Sequence, residues 1–415
     1  MRRLFIAFPV FLLLASGVAL LCTPQLGVGV PLYAARTGLM CKTCHFDPNG
    51  GGPRNEFGFA YGKNRHSLEA ETTGDFADLS LTNRVSDTFP LYVGVNQRFM
   101  MLANQQIKDS GVDRLGFFNM ENSIHFTFQP HPRLTLVYSR DGFNEGSSSK
   151  EAFGMIGLPG DLYLKAGQFR VPFGLRMDDH TVATRNSFLD FQNGERFLPY
   201  DPRRMDRGVE IGGDRGSMFG RIAYTNGSND VFGSTHSIAH ATTAKLGVNT
   251  PHYQGGFSVY DDFHREDDIL GGPALVGERS TRWGYYGLAH AGRFAFILEA
   301  AAGTDRVQTV NLNSGFGEVS EVNRLAYFAE ANYSPAREYN LRVRYDYLDL
   351  ANGSPDPVAE QFQYRRYAIE GEYAPVPFAE LRWTLRLIDP VAQKDLSDLE
   401  IKNEKQAYLQ LHFSY

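Results

Sequence analysis

The last nine residues, Ala407-Tyr408-Leu409-Gln410-Leu411-His412-Phe413-Ser414-Tyr415, place Ala407, Leu409, Leu411, Phe413 and Tyr415 at alternate positions, with Tyr408, Gln410, His412 and Ser414 between them. Successive side chains of a strand point to opposite faces, so this stretch predicts a strand with one apolar face and one polar face. The same period of two recurs where Ala379, Leu381, Trp383, Leu385 and Leu387 alternate with Glu380, Arg382, Thr384 and Arg386. It recurs again where Leu341, Val343, Tyr345 and Tyr347 alternate with Arg342, Arg344 and Asp346. A soluble sandwich with its apolar faces turned inward satisfies that pattern as well as a membrane barrel does. The connections separate the two.

Short turns rich in Pro, Gly and Asn are expected at Gln129–Arg133, Leu158–Asp161, Asp214–Ser217, Asn249–His252, His290–Arg293, Ser334–Asn340 and Ala374–Phe378. Between them fall longer polar connections at Lys108–Gly116, Arg140–Lys150, Val171–Arg207, Asn226–Ile238, Asp261–Thr281, Gly303–Val322, Asp349–Gln361 and Asp389–Glu404. Short and long alternate strictly, and fifteen connections join sixteen strands. Short turns on one rim and long loops on the other are the build of an outer-membrane barrel, and a sandwich has no reason to sort its loops this way. The expected fold is therefore all-β: an antiparallel, porin-like transmembrane barrel of about 16 strands over residues 90–415, behind a small N-terminal domain over 31–80. An even strand number returns both barrel ends to the short-turn, periplasmic rim. The N-terminal domain then either enters the lumen or faces the periplasm beneath it.

Composition agrees. The 415 residues carry 47 acidic and 41 basic side chains, a formal charge of -6 that argues against a nucleic-acid partner. Only one apolar run, Leu4 to Leu21, approaches the roughly 20 residues of a spanning helix, which excludes a helical bundle. Arg2 and Arg3 precede that run and Ala15, Ser16, Gly17 and Ala19 close it, the layout of a secretory leader over about residues 1–30, with cleavage conceivable after Ala19 or as late as Ala35. A retained membrane anchor is the other reading of this run. Cys22 stands apart, since Leu20 and Leu21 occupy places where a lipidation signal favours small residues.

The other two cysteines fall in Cys41-Lys42-Thr43-Cys44-His45, the Cys-x-x-Cys-His pattern of c-type haem attachment. Two intervening residues let both thiols reach the vinyl groups along one porphyrin edge, and the adjacent imidazole becomes the proximal iron ligand. One covalent haem c on Cys41, Cys44 and His45 is the expectation. A thioredoxin-like pair would want a βαβ setting and a zinc knuckle a second ligand pair; neither context accompanies the motif. No Met lies between Cys44 and Met100, so His66, 21 residues beyond His45, is the candidate distal ligand, the alternative being an exposed His66 and a five-coordinate or water-ligated haem.

Other polar constellations are weaker. Asp261, Asp262, His264, Asp267 and Asp268 offer hard oxygen donors and an imidazole at the head of an expected external loop, a candidate ferrous-iron site or an ordinary solvated surface. Asp178-Asp179-His180 in the longest loop reads the same way. Arg342, Arg344, Arg382 and Arg386 either line a charged lumen or pair with haem propionates.

The segment from Pro31 to Phe46 resembles the outer-membrane fusions of a monohaem cytochrome c with a porin, which serve as iron oxidases. That family typically shows Pro-x-Phe-Ala-Arg-Gln-Thr-Gly-x-x-Cys-x-x-Cys-His. Here Pro31, Ala34, Thr37, Gly38, Cys41, Cys44 and His45 match, Tyr33 replaces the Phe, and Ala35-Arg36 replaces Arg-Gln. Farther on, Gly167-Gln168-Phe169-Arg170-Val171-Pro172-Phe173-Gly174 resembles a stretch of phosphate-selective porins. The resemblance implies a bacterial outer-membrane protein that oxidises extracellular Fe(II) and passes electrons through the haem to a periplasmic carrier such as a soluble c-type cytochrome. Two alternatives remain open at this point: a solute or anion porin with a haem-bearing plug or sensor, and a conduit exporting electrons to an external acceptor.

Overall fold

The computed structural model describes residues 31–69, 76, 79–106, 114–141, 149–176, 182–184, 205–227, 237–266, 278–310, 317–349, 363–390 and 404–415. Sixteen antiparallel strands close on themselves, each pairing with its neighbours in sequence and the last with the first. They are β1 (Leu91–Gln106), β2 (Arg114–His131), β3 (Leu134–Asp141), β4 (Ser149–Leu158), β5 (Leu162–Arg170), β6 (Met205–Arg215), β7 (Met218–Thr225) and β8 (Ser237–Asn249). The second half comprises β9 (Tyr253–Glu266), β10 (Glu278–Ala291), β11 (Phe294–Val310), β12 (Gly317–Ala336), β13 (Tyr339–Asp349), β14 (Gln363–Val376), β15 (Ala379–Pro390) and β16 (Glu404–Ser414). Closure is made by β1 and β16 in continuous register from Asn96 opposite Ser414 to Gln106 opposite Glu404. All seven expected short turns fall where the strands reverse, so alternation and turn chemistry together set the topology.

The strands are apolar outside and polar inside. Leu385 and Leu387, Ile369 and Tyr367, Val343 and Leu341, and Leu409 and Leu411 are exposed, whereas Thr384, Arg386, Glu370, Arg344 and Gln410 between them are buried. A soluble sandwich would show the reverse; this distribution is that of a barrel whose outer solvent is hydrocarbon. Aromatic rings collect near the short-turn rim, among them the stacked pair Tyr339 and Tyr373 and the pair Phe294 and Tyr333. That is the placing of an interfacial girdle.

The long-loop side departs from expectation. The connection expected over Gly303–Val322 is mostly strand, because β11 runs to Val310 and β12 begins at Gly317. Likewise β9 continues to Glu266 and β10 begins at Glu278, where an open loop was expected from Asp261. Polar residues outnumber apolar ones in these stretches, which breaks the period-two hydrophobic signal while the backbone ladder continues.

The core lies in the lumen. Helix α1 (Pro31–Thr37), the single 3-10 turn Cys41–Thr43 and helix α2 (Glu56–Lys63) pack inside the short-turn end of the barrel. Asn55 caps α2, its side chain accepting from the Gly58 amide at 3.0 Å. Leu32, Tyr33, Ala34, Ala35, Cys44 and Tyr61 form one apolar cluster with Phe219, Tyr286, Leu288, Ile297 and Phe328 of the wall. Short-turn residues hold the insert from below: Arg65 meets Glu338 at 3.2 Å, and Phe59 packs against Phe378 and Tyr415. Of the two arrangements left open for the N-terminal segment, entry into the lumen is the one observed.

A second piece of chain enters from the side. After β5 the described residues 171–176 and 182–184 turn inward, with Val171, Phe173, Leu175, Val182 and Ala183 buried. The Leu175 amide and the Thr184 hydroxyl both donate to Glu299, each at 2.8 Å. The Gly167–Gly174 stretch thus marks the end of a strand and the start of an infolded segment.

Candidate functional site

The insert and wall enclose a cavity of about 410 Å³. Cys41, His45 and Tyr33 line it from the insert, Tyr286, Leu288 and Ile297 form an apolar side, and Lys245, Arg221, Arg342 and Arg382 contribute cations. The turn at Cys41–Thr43 explains how the motif comes together. The Cys44 and His45 amides both donate to the Cys41 carbonyl, at 3.1 and 3.0 Å, so residues three and four apart share one face. Cys44 lies buried within the apolar cluster that borders the cavity.

Burial disfavours the thiolate at both cysteines. Burial pushes the Cys41 thiol up against the opposing pull of Lys245, and burial raises Cys44 to about 12 although Arg54 lowers it. An attacking redox thiol is activated in the opposite direction, toward the thiolate. Among the described residues, the one group of three metal donors, His66, Glu372 and Glu380, includes neither cysteine.

A covalent haem fits these surroundings on two observations. The cavity has an apolar flank for a porphyrin face and cations for propionates. Gly50 also keeps a gap beside the first thiol: at φ +86° it leaves space where a Cβ would stand 3.0 Å from the Cys41 Cβ and 3.1 Å from its Sγ. Cys41, Cys44 and His45 would hold such a group, and the one-electron couple is what it would supply.

The insert is anchored by charge. Asp47 is wholly buried and meets Lys165 Nζ and Arg176 Nη1, each at 3.3 Å, while Lys165 also meets Glu210 at 3.0 Å. Burial alone would raise the Asp47 carboxyl, but Lys165 and Arg176 outweigh it and hold it below the usual carboxylate value. Asn49 donates to Glu210 at 2.9 Å, and Lys42 reaches Asp214 at 2.9 Å. None of these partners was legible in sequence, since every pair that ties the insert to the wall joins residues more than a hundred positions apart.

His66 lies on the far side of Tyr33, stacked on its ring with centroids 4.4 Å apart. It does not line the cavity that Cys41 and His45 face. Its Nδ1 is 2.8 Å from Tyr33 Oη and its Nε2 is 3.1 Å from Glu380 Oε1. Burial lowers its pKa to about 3 despite the Glu380 carboxylate. The alternative of an exposed His66 is excluded, because only 5% of it is accessible.

Of the acidic loop candidates, the Asp261 and Asp262 side chains are described. Asp261 pairs with Arg279 across the hairpin at 2.8 and 3.0 Å, whereas Asp262 is buried; as neighbours in β9 they point to opposite faces. The two therefore do not converge on one ion. The His264 side chain, Asp267 and Asp268 lie outside the described residues, as do Asp178, Asp179 and His180. The lumen arginines have carboxylate partners: Arg344 with Glu330 at 2.7 Å, Arg342 with Glu370 at 3.0 Å, and Arg382 with Glu380 at 2.6 Å. These belong to a cross-strand charge lattice that the alternation predicted as polar without naming the pairs.

No protein family matches the chain, and no curated protein sequence matches it. Solved structures match its shape. The outer membrane channel DcaP of Acinetobacter baumannii aligns with TM-score 0.57 at 11% identity, over 80% of this chain and 99% of that one. OmpT of Vibrio cholerae aligns with TM-score 0.53 at 11% identity, over 80% and 99%. Salmonella typhi OmpF, solved with daunomycin, aligns with TM-score 0.54 at 10% identity, over 79% and 98%. The chain is accordingly a closed, 16-stranded antiparallel barrel that resembles outer-membrane porins in fold.

Proposed function

We propose that the chain is an electron conduit of the bacterial outer membrane, with one covalent haem c on Cys41, Cys44 and His45 inside the barrel. The observation that carries this reading is the position of the Cys-x-x-Cys-His turn at a cavity within a closed lumen, shielded by the wall from surrounding lipid. A hydrocarbon layer about 30 Å thick blocks ions and electrons alike, so a redox couple held within the wall serves both sides. One electron leaves extracellular Fe(II), which becomes Fe(III), and one electron reduces a periplasmic carrier of the soluble c-type cytochrome class. The barrel residues position and insulate; Asp47, Lys165 and Arg176 keep the insert seated.

A second reading, a solute porin with a haem-bearing plug, is favoured by the likeness in fold to channel proteins. Against it stand the insert and the infolded segment, which both occupy the lumen. Spectroelectrochemistry of purified protein with ferrous iron added distinguishes the two. Rapid reduction of a covalently bound haem supports the conduit; large single-channel conductance with a haem unresponsive to iron overturns it in favour of the porin.

A further inference from the structure

We propose that His66, Glu372 and Glu380 form a binding site for one divalent transition-metal ion at the junction of insert and wall. The inference goes beyond electron transfer and does not depend on the haem. Each residue offers a donor atom, all within 4.8 Å of one another, and all three side chains are buried. Glu372 comes from β14, Glu380 from β15, and His66 follows α2 of the insert.

The orientation of the carboxylates is specific. Their Oε2 atoms face the wall: Arg382 lies 2.6 Å from Glu380 and 3.3 Å from Glu372, Arg342 lies 3.7 Å from Glu372, and the His412 imidazole Nδ1 lies 3.2 Å from Glu380. Their Oε1 atoms both turn to the insert, where Tyr33 Oη lies 2.8 Å from Glu380 and 3.3 Å from Glu372. Tyr33 Oη is also 2.8 Å from His66 Nδ1. Three acceptor-type atoms thus crowd one phenol, which carries a single proton.

Neither neutral form of the imidazole resolves the crowding. With the proton on Nδ1, the ring donates to Tyr33, and Nε2 turns a lone pair toward the Glu380 oxygen 3.1 Å away. With the proton on Nε2, that N–H has no hydrogen-bond geometry to any partner, and Nδ1 competes with two carboxylate oxygens for the one phenol proton. Either arrangement leaves buried acceptors facing one another, which is unfavourable for each group left unsatisfied. A dication among them replaces repulsion with coordination. One imidazole nitrogen and two carboxylate oxygens, without thiolate, suit Mn²⁺, Fe²⁺ or Zn²⁺. Bond lengths of about 2.0–2.2 Å require the donors to contract around the ion, a movement of flexible glutamate ends.

Zinc is the probe. Full-length protein purified in detergent without a polyhistidine tag, stripped with chelator and dialysed against Zn²⁺, should retain one tight equivalent. Glu372→Gln should weaken binding at least ~10-fold, as should His66→Ala and Glu380→Gln. Tyr33→Phe removes the competing hydroxyl and should keep the site. Heat-modifiable migration reports folding. Should Glu380→Gln fail to fold, Glu372→Gln decides alone, because Glu372 holds the insert only through its 3.3 Å contact with Tyr33. Zn²⁺ should also slow proteolytic release of the insert in wild type and not in Glu372→Gln. Wild-type binding no tighter than that of Glu372→Gln, or Zn²⁺ retention at wild-type affinity in all three ligand variants, overturns the proposal.

Discussion

Asp47 of the insert and Lys165 of β5 lie 3.3 Å apart with neither side chain accessible to solvent. Buried ions of this kind are stabilising only as a complete set, since removing one partner strands the other at a cost of about 3–5 kcal/mol. Asp47→Asn leaves Lys165 with Glu210, whereas Lys165→Met leaves the Glu210 carboxylate with the neutral donors Asn49 and Tyr163 in place of its cation, and leaves Asp47 to Arg176. The lysine variant should therefore release the insert at lower urea concentration than the aspartate variant, and both at lower concentration than wild type. Limited proteolysis of residues 31–69 along a urea series reads this directly. Equal midpoints in all three proteins would remove the anchoring role.

The same carboxylate sets a pH limit on the anchor. Its pKa in the folded protein lies below the unfolded value, so folding favours the ionised form. The contribution is complete above the ordinary aspartate value of about 4 and is lost as pH falls through the depressed folded value. Insert release should stay flat from neutrality to about pH 4 and rise below it. In Asp47→Asn this component of the acid dependence should disappear, measured as the difference between the two proteolysis profiles.

Covalent attachment has a direct readout. Replacing Cys41 and Cys44 together with Ser, or His45 with Ala, should abolish haem-dependent peroxidase staining on denaturing gels while heat-modifiable barrel migration persists. A stain that survives the double cysteine change would place the attachment elsewhere.

Gly50 has φ +86° and leaves room beside the Cys41 thiol, so Gly50→Val meets both backbone strain and a side-chain clash. About 1–3 kcal/mol of local destabilisation is expected from the strained backbone. Stain intensity per barrel should fall below that of wild type. Gly292, also at positive φ but with open space around its Cβ position, serves as the control whose substitution should leave the stain unchanged.

The outer face offers a test of its solvent. Leu385 sits mid-strand in β15 and is 55% exposed. Leu385→Arg should destabilise the barrel in lipid by about 2–4 kcal/mol if the residue lies near the membrane midplane. A water-facing leucine would tolerate the same change. Denaturant titration in vesicles, followed by tryptophan emission, provides the number.

Period-two alternation, turn residues at regular intervals and the sorting of short and long connections were enough to read sixteen strands and the seven short turns from the chain alone. Such features are local, because each strand carries its own pattern and each turn its own Pro, Gly or Asn. The Cys-x-x-Cys-His motif was legible for the same reason, five consecutive residues carrying their own geometry. Strand ends beyond the apolar band were not, since Asp261 and Asp262 extend a ladder whose hydrogen bonds leave no trace in hydrophobicity.

Tertiary structure alone decided where the insert goes and what holds it. Asp47 finds Lys165, Tyr33 finds Glu380, and Glu299 gathers in the segment after β5. All are lumen contacts between residues far apart in sequence, and no strand's own pattern says which inward position will meet which before the wall closes. Only closure fixes which strands lie opposite which, and with it which charges meet.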